Sequence, residues 1–201
     1  MYDWRKMTQE ERIEILRERQ ERKSAWHRPS VKFEGKWVHL TAACYEHRCL
    51  IGRDPLRLGS FSDELLDTIS KVAMEISAWC VLPNHYHVLT RVADVGILTQ
   101  NIGRLHGRTS HQWNVEEDKQ GRTCFHGCLP KPVKSLSHRW ATLNYIHHNP
   151  VKHGYVERWQ DWPYTSAHAY LDAVGHAYAR RMWDEFPILD MGKGWDEEIG
   201  P

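Results

Sequence analysis

Alternating apolar and polar residues mark the stretches of the chain that we predict to be β-strands. One stretch runs over residues 37–45, W-V-H-L-T-A-A-C-Y, and a longer one over residues 78–92. Pro83 and Asn84 divide the longer stretch into two strands, because these residue types favour a turn. A further short strand is predicted over residues 123–129.

Apolar residues recur at helical spacing in three other segments. Residues 62–77 form one apolar helix face from Leu65, Leu66, Ile69, Val72, Ala73 and Ile76. Residues 97–114 form a second from Ile97, Leu98, Ile102 and Leu105. Ser135 caps a third helix, which we expect to end at Asn149 because Pro150 disfavours a helical conformation at the residue before it.

The order strand, helix, strand, strand, helix, strand, helix predicts an α+β domain. We expect an antiparallel sheet of four or five strands with helices on one face. The domain spans residues 37–172, with a packed wrap over residues 155–169. Residues 1–36 hold a charged helix, started by a capping box of Thr8 and Glu11, and a linker. Residues 173–201 form an acidic tail, loosely attached from Tyr178 onward.

Two histidines on the last predicted strand of the 78–92 stretch are candidate metal ligands. Side chains alternate along a strand, so His85 and His87 lie on one face, roughly 7 Å apart, and Tyr86 lies on the other. Neutral imidazole is the commonest metal ligand among side chains. The pair therefore suits a divalent ion that takes further ligands from elsewhere.

The third helix can supply those ligands. At about 100° per residue, Leu136, Trp140, Leu143 and Ile146 form its core stripe, and Tyr145 lies on the opposite side. Asn149 lies one turn beyond Tyr145. If this side covers His85 and His87, two imidazoles and an amide oxygen surround an ion beside a phenol. This set suits phosphoryl transfer through a phosphotyrosine.

Other histidines flank Tyr145. His138, seven residues earlier on the same helix side, is predicted to assist the tyrosine or the scissile phosphate, and His148 is a second candidate for that role. His147 and His148 are adjacent and point about 100° apart. We expect phosphate contacts or plain surface positions for this pair.

Charge is unevenly distributed, although the net charge of the 201-residue chain is only +1. Residues 122–158 carry six Lys or Arg residues and one acid, whereas acids outnumber bases six to one over residues 184–198. This indicates a phosphate-binding surface beside an acidic tail, or an ordinary uneven surface. Trp26 and Trp113 are candidates for stacking on bases. The candidate DNA contacts are Arg104, Arg108, Lys131, Lys134, Arg139, Lys152, His153 and Arg158.

The five cysteines are odd in number and include no C-x-x-C pair, so we expect free thiols in a reducing cytoplasm. Cys124-x-His126-x-Cys128 lacks the second ligand pair of a zinc site. No stretch of about 18 apolar residues and no secretory signal is present. We expect no membrane association.

Three motifs together resemble one family. They are P-N-H-Y-H from Pro83, Y-I-H-H-N-P-V-K-H-G from Tyr145, and D-W-P-Y-T-S-A from Asp161. With these spacings, residues 37–170 are similar to the REP-associated tyrosine transposases, HUH-type single-tyrosine transposases related to those of small insertion sequences. REP denotes a repetitive extragenic palindrome. The N-terminal helix and the tail lie outside the resemblance.

The resemblance implies a ferredoxin-like fold with the histidines on a central strand. It implies His85, His87 and Asn149 as ligands of Mg²⁺ or Mn²⁺, where relatives often carry Gln in the place of Asn149, and Tyr145 as the nucleophile that forms a 5′-phosphotyrosine. The implied substrate is a single-stranded DNA hairpin of a palindromic repeat, bound by a bacterial, cytoplasmic, nucleoid-associated enzyme.

Two alternatives stay open. One is a metal-hydroxide phosphodiesterase in which Tyr145 only orients the substrate. The other is a hairpin-binding regulator without catalysis. For the oligomeric state we expect a monomer with the site completed in cis.

Overall fold

A computed structural model of the protein describes residues 35–188 and 191, together with residues 8–11, 13, 14 and 17. At its centre lies a four-stranded sheet. The strands are β1 (Lys36–Ala43), β2 (Ala73–Val81), β3 (His85–Val92) and β4 (Leu129–Pro132). Their spatial order is β2-β3-β1-β4, and every neighbouring pair is antiparallel.

The helices within residues 35–188 are α1 (Pro55–Ser70), α2 (Val95–Glu116), α3 (Leu136–Lys152), α4 (Ala167–Val174) and α5 (His176–Glu185). The chain order β1-α1-β2-β3-α2-β4 and the strand order are those of a ferredoxin-like fold. The predicted fold class is therefore confirmed. The last three helices follow this unit.

Strand β3 is covered on both faces, and all eight of its residues are buried. On one face, Tyr86 packs against Phe61 of α1 and its hydroxyl lies 3.1 Å from His106 Nε2 of α2. On the other face, His85 and His87 lie under α3. The expectation of helices on one face only is therefore wrong, because α3 forms a second layer.

Helix α1 begins seven residues before the predicted start. Asp54 caps it by accepting a hydrogen bond from Arg57 N at 2.8 Å, and Pro55 occupies the first turn, where its missing N–H is not needed. The prediction of a helix over residues 62–77 is wrong at both ends. The Asp-Pro pair, which we interpreted as part of a turn, is the start signal.

The end of that predicted helix belongs to β2. Register shifts between Ala73 and Glu75, and between Ile76 and Ala78, interrupt the pairing of β2 with β3. Such bulges break the two-residue alternation of a strand. The apolar residues at these positions therefore recur at a spacing that resembles a helix.

The fourth strand lies later than the predicted 123–129. Within that range Phe125 makes only an isolated bridge with Cys44, and β4 itself is L-P-K-P. Two prolines argue against a central strand, but β4 is an edge strand that pairs only with β1. An edge position tolerates residues that cannot donate a backbone hydrogen bond.

Helix α3 begins as predicted, with Ser135 Oγ accepting from His138 N at 3.0 Å. The prediction that it ends at Asn149 is wrong, because it continues through Pro150 to Lys152. Gly154, two residues beyond the end of the helix, has a left-handed φ of 65°. A Schellman pair closes the helix: Tyr155 N donates to Pro150 O, and Gly154 N to Val151 O, both at 2.9 Å.

The C-terminal segment packs onto β2 and α3. Trp162, fully buried, donates from Nε1 to Val81 O at 2.9 Å, which confirms the predicted wrap. The loose attachment predicted from Tyr178 onward is wrong as far as residue 188. Asn144 Nδ2 of α3 donates to Met182 O and Phe186 O, at 3.0 and 2.8 Å, and so fixes the end of α5.

The N-terminal capping box is confirmed. Thr8 N donates to Glu11 Oε2 at 2.7 Å, and Glu11 N to Thr8 Oγ1 at 3.2 Å. The remainder of the predicted N-terminal helix and Trp26 lie outside the described residues, apart from residues 13, 14 and 17. Across the described part of the chain, no helix has the length and apolar character needed to cross a membrane.

Candidate active site

The β2–β3 turn orients His85. Asn84 Nδ2 donates to His47 O at 3.2 Å, which fixes the amide so that Asn84 Oδ1 lies 2.8 Å from His85 Nδ1. Because Oδ1 can only accept, His85 Nδ1 carries a proton. In the neutral ring, His85 Nε2 is then a lone pair available to a ligand.

That lone pair faces Asn149, which the sequence analysis predicts to be the third metal ligand after His85 and His87. His85 Nε2 and Asn149 Oδ1 lie 2.9 Å apart, and both atoms are acceptors when His85 is neutral. In this arrangement the pair needs a second proton on His85 or a shared cation. The buried Asn149 Nδ2 has no hydrogen-bond partner among the described residues.

His87 is oriented by a residue that the sequence reasoning missed. His39 Nε2 lies 3.1 Å from His87 Nδ1, and His39 is buried on β1. The antiparallel register pairs Thr41 with His87, so His39 lies two residues further along the same face. Only the β1–β3 register brings the two rings together, and the sequence contains no local signal for it.

Tyr145 lies against these rings. Its ring centroid is 5.2 Å from that of His87 and 6.0 Å from that of His39, and the residue is 1% exposed. The predicted meeting of Tyr145, Asn149 and the two histidines therefore occurs within one chain. Their catalytic and metal-binding roles stay predictions.

The predicted core stripe of α3 is confirmed for Leu143 and Ile146, which are buried, but not for Leu136. Leu136 is 51% exposed, whereas the side that carries Tyr145 and Asn149 packs on the sheet. The opposite side is also covered, because Trp140 stacks on Phe186 after α5. A helix enclosed between a sheet and a terminal segment has no single apolar stripe.

The end of α3 adds two polar groups at the edge of the site. Lys152 Nζ lies 5.5 Å from the centroid of the Tyr145 ring, and the His153 ring lies 4.8 Å from that of His85. Both residues were predicted to contact DNA. Their position would bring a bound phosphate next to Tyr145.

The donor set fits a divalent ion only if the amide oxygen is included. Among the described residues, no group of three or more His, Cys, Asp and Glu could hold a metal. Neighbouring ligands of an octahedral ion with bonds of about 2.0–2.1 Å lie about 3 Å apart. The 2.9 Å between His85 Nε2 and Asn149 Oδ1 matches that spacing, and His87 lies beside His85 with ring centroids 5.1 Å apart.

The two candidate assisting histidines lie elsewhere on α3. His138 Nδ1 accepts from Lys134 N at 3.4 Å in the first turn. His148 packs against Trp183 of α5, with ring centroids 5.1 Å apart. Burial, together with the nearby charge of Lys152, lowers the pKa of His148. An assisting role for either residue stays a prediction.

The remaining DNA-contact candidates differ in exposure. Arg139 is only 7% exposed and lies over the Trp37 ring at 4.6 Å, so it is poorly placed to meet a phosphate. Arg108 pairs with Glu64, and Arg158 forms a two-bond pair with Asp161. Arg104 and Lys134 are exposed, and Lys131 is half-buried.

Trp113 and His147 differ from what the sequence predicts, whereas the cysteines agree with it. Trp113 is buried against Phe61 and Phe125, so it cannot stack on a base as predicted. His147 is buried, not a surface residue, because it stacks on Trp159. All five cysteines are free thiols, as expected.

Comparisons with known proteins agree with the motifs. A REP-associated tyrosine transposase of Haemophilus influenzae is 31% identical over 126 residues, which cover 55% of this chain and 69% of that protein. The REP-associated tyrosine transposase of Escherichia coli is 30% identical over 95 residues, covering 47% and 54% of the two chains. No protein-family profile matches the chain.

The fold has a solved counterpart. The structure of a REP-associated tyrosine transposase bound to a REP hairpin matches with a TM-score of 0.54 and 19% identity, over 74% of this chain and 86% of that one. At this identity the match shows the fold, whereas the sequence relatives show the family. The chain belongs to the family of REP-associated tyrosine transposases.

Proposed function

We propose that this chain is a metal-dependent single-stranded DNA endonuclease and strand transferase that cuts beside hairpins of palindromic repeats. The observation that carries the proposal is the meeting of Tyr145 with His87, His85 and Asn149 on one face of the sheet. The family names of the relatives, and the REP hairpin bound by the structural counterpart, support the choice of substrate.

Tyr145 is the nucleophile in this proposal. Its Oη forms a bond to the scissile phosphorus, the bond from phosphorus to the 3′-oxygen breaks, and the phenolic proton is lost while the leaving oxygen gains one. The product is a 5′-phosphotyrosine and a free 3′-hydroxyl. Because the phosphodiester energy is retained, attack by a 3′-hydroxyl reverses the step and joins strands without a nucleotide cofactor.

His85, His87 and Asn149 would hold Mg²⁺ or Mn²⁺. Such an ion, when bound, polarises the phosphoryl group and stabilises developing charge. Asn84 and His39 keep the two imidazoles oriented, as polar neighbours of metal-binding histidines commonly do. Lys152, next to Tyr145, stabilises negative charge on the phenolate or the phosphate.

Two structural consequences follow. Tyr145 is 1% exposed, so the residues that cover it must move before a phosphodiester reaches its hydroxyl. All the proposed groups belong to one chain, which supports a site completed in cis. DNA approaches across Lys152 and His153 at the end of α3.

The test is a covalent-adduct assay. The protein is mixed with Mn²⁺ and 3′-labelled hairpin oligonucleotides from the palindromic repeats of its host, then resolved on a denaturing gel. We expect a labelled protein band that EDTA abolishes. The band should be absent in Tyr145→Phe and present in Tyr155→Phe, a matched control just beyond the same helix.

Two outcomes would replace the proposal. Metal-dependent cleavage that survives in Tyr145→Phe without a protein band would indicate a metal-hydroxide phosphodiesterase. Tight hairpin binding that EDTA leaves unchanged, with no cleavage of any oligonucleotide, would indicate a hairpin-binding regulator.

A further inference from the structure

A cavity separate from the candidate active site lies on a different side of α3 from Tyr145. Its volume is about 450 Å³, and its walls come from α3, the 3-10 turn Trp159–Asp161, α4 and α5. We name it the C-terminal cavity. Its size falls within the range of about 300–1,000 Å³ that is usual for small-molecule sites.

Flat rings line the C-terminal cavity. His147 stacks on Trp159 with centroids 5.5 Å apart and planes 8° apart, and Tyr170 lies 5.2 Å from His147. Trp183 faces the cavity from α5 beside His148. Such surfaces favour a planar heteroaromatic ligand, because aromatic side chains stack on every kind of base.

Buried polar atoms occur among these rings. His147 is 3% exposed, and its Nδ1 has no hydrogen-bond partner among the described residues. The same holds for Oε1 of Gln160, which also lines the cavity. A buried polar atom without a partner is costly in free energy, so a ligand that supplies partners would be favoured.

The direction of the hydrogen bond between His147 and Ser166 decides whether His147 Nδ1 is a donor or an acceptor. His147 Nε2 lies 2.8 Å from Ser166 Oγ, whereas the other acceptor for that hydroxyl, Trp79 O, is 3.4 Å away. Nδ1 is therefore a donor where the Ser166 hydroxyl donates to Nε2, and an acceptor where that hydroxyl donates to Trp79 O.

His147 Nδ1 and the acceptor Gln160 Oε1 are therefore two buried polar atoms that a ligand can satisfy. Adjacent acceptor and donor atoms are what the polar edge of a nucleobase presents. Arg180 and Asp184 also line the cavity, and Arg180 is exposed, so its guanidinium is available to a phosphate. The carboxylate of Asp184 can accept from an exocyclic amine.

We propose that the C-terminal cavity binds one unpaired nucleobase. The assignment of that base to the substrate strand rests on the proposed function. Lys152 provides a route along the strand, since it lies over the Tyr145 ring and one helical turn beyond His148, which lines the cavity. A strand held at Lys152 can extend from the active site to the cavity.

The test is an abasic scan. Hairpin oligonucleotides with single-stranded flanks, each with one abasic position, are titrated by fluorescence anisotropy in EDTA. For the wild-type protein we expect one position at which base removal weakens binding by about 5- to 150-fold. The Trp183→Ala variant should bind the intact oligonucleotide about 5- to 150-fold more weakly than the wild-type protein does. Removing the same base should weaken the binding of this variant by less than about 2-fold more.

Matched controls lie on the same helix. Tyr178 packs against Trp140, away from the cavity, so Tyr178→Ala should keep the full abasic effect. Arg180→Ala should weaken binding more than Arg181→Ala, because Arg181 lies over the Tyr178 ring at 5.0 Å. Thermal melts of each variant verify folding.

The proposal is overturned if Trp183→Ala keeps the full abasic effect, or if no flank position shows one although the hairpin binds. If the wild-type protein binds no hairpin, the proposed function fails, and the cavity is tested with the four deoxynucleoside monophosphates by calorimetry. Binding that is lost in Trp183→Ala then supports a site for a free nucleotide. Equal or absent binding in both proteins overturns it.

Discussion

At the scale of single residues, the candidate active site is held by side chains that would not themselves react. Asn84 fixes the ring of His85, and His39 fixes that of His87. Both neighbours act on the Nδ1 atoms and so leave Nε2 of each ring for a ligand. The neighbours should therefore matter for metal affinity without contacting the DNA.

We predict that His39→Leu weakens Mn²⁺ binding by about 10- to 100-fold, because loss of the hydrogen-bonded partner releases the ring of His87. Calorimetric titration of the protein with Mn²⁺, without DNA, measures this. His106→Leu is the control, since His106 is also buried and bonded to another ring, on the far face of β3. Equal loss of affinity in both variants would indicate general destabilisation.

The proposed nucleophile and metal ligands could be predicted from the sequence, whereas the residues that orient the ligands could not. His85 and His87 share a face by strand alternation, and Tyr145 and Asn149 share a helix side by a four-residue spacing. These are local relations. His39 and the cavity face of His147 depend on strand register and on the C-terminal wrap, which no local spacing encodes.

At the scale of elements, α3 is the part on which the site depends. It carries Tyr145 and Asn149, and its last turn brings Lys152 and His153 to the same place. That turn is closed by Gly154 in a left-handed conformation. A residue with a Cβ is strained there.

We predict that Gly154→Ala lowers the free energy of unfolding by about 1–2 kcal/mol and slows cleavage, because the last turn of α3 must shift. Urea denaturation and the cleavage rate measure the two effects. Gly121→Ala is the control, since Gly121 has a φ of 82° and no atom within 4 Å of an added Cβ. It should lose similar stability without slowing cleavage.

Element boundaries were predicted less well than element types. Pro150 suggested an early end for α3, but the Schellman pair at Gly154 and the contacts on both sides outweigh the preference of the residue before a proline. The bulges of β2 disguised a strand as the end of a helix. In both cases tertiary contacts, rather than the conformational preference of the local sequence, set the boundary of the element.

At the scale of the whole molecule, a charged cluster joins the start of α1 to the end of α2. Burial raises the pKa of the Glu117 carboxyl, but hydrogen bonds from Arg122, Arg57 and Arg53 outweigh it and bring the pKa to about 2. A carboxyl with a lowered pKa stabilises the fold above its unfolded pKa of 4.5, and this is lost as the pH falls towards 2.

We predict that Glu117→Gln lowers the free energy of unfolding at pH 7 by about 2 kcal/mol, because three guanidiniums lose their charged partner. The difference from the wild-type protein should shrink as the pH falls from 4.5 towards 2. Denaturation at pH 7, 4 and 3 measures it. A difference that stays constant with pH would contradict this assignment.

The basic residues of the surface should differ in their contribution to DNA affinity. Lys134 is exposed and forms no ion pair with another described residue, whereas Arg158 is held by Asp161. If both face the strand, Lys134→Ala should reduce the slope of log affinity against log salt by about 0.7, and Arg158→Ala by less. Anisotropy titrations over a range of KCl concentrations test this; equal slopes in all three proteins would exclude both contacts.

The most direct test of the account is to locate the covalent link. The adduct formed with Mn²⁺ and hairpin DNA is digested with nuclease and trypsin, and the peptides are sequenced by mass spectrometry. We predict a nucleotide on Tyr145, with Tyr86, Tyr155 and Tyr164 unmodified. A nucleotide on any other residue, or cleavage without a modified peptide, would contradict the assignment of Tyr145 as the nucleophile.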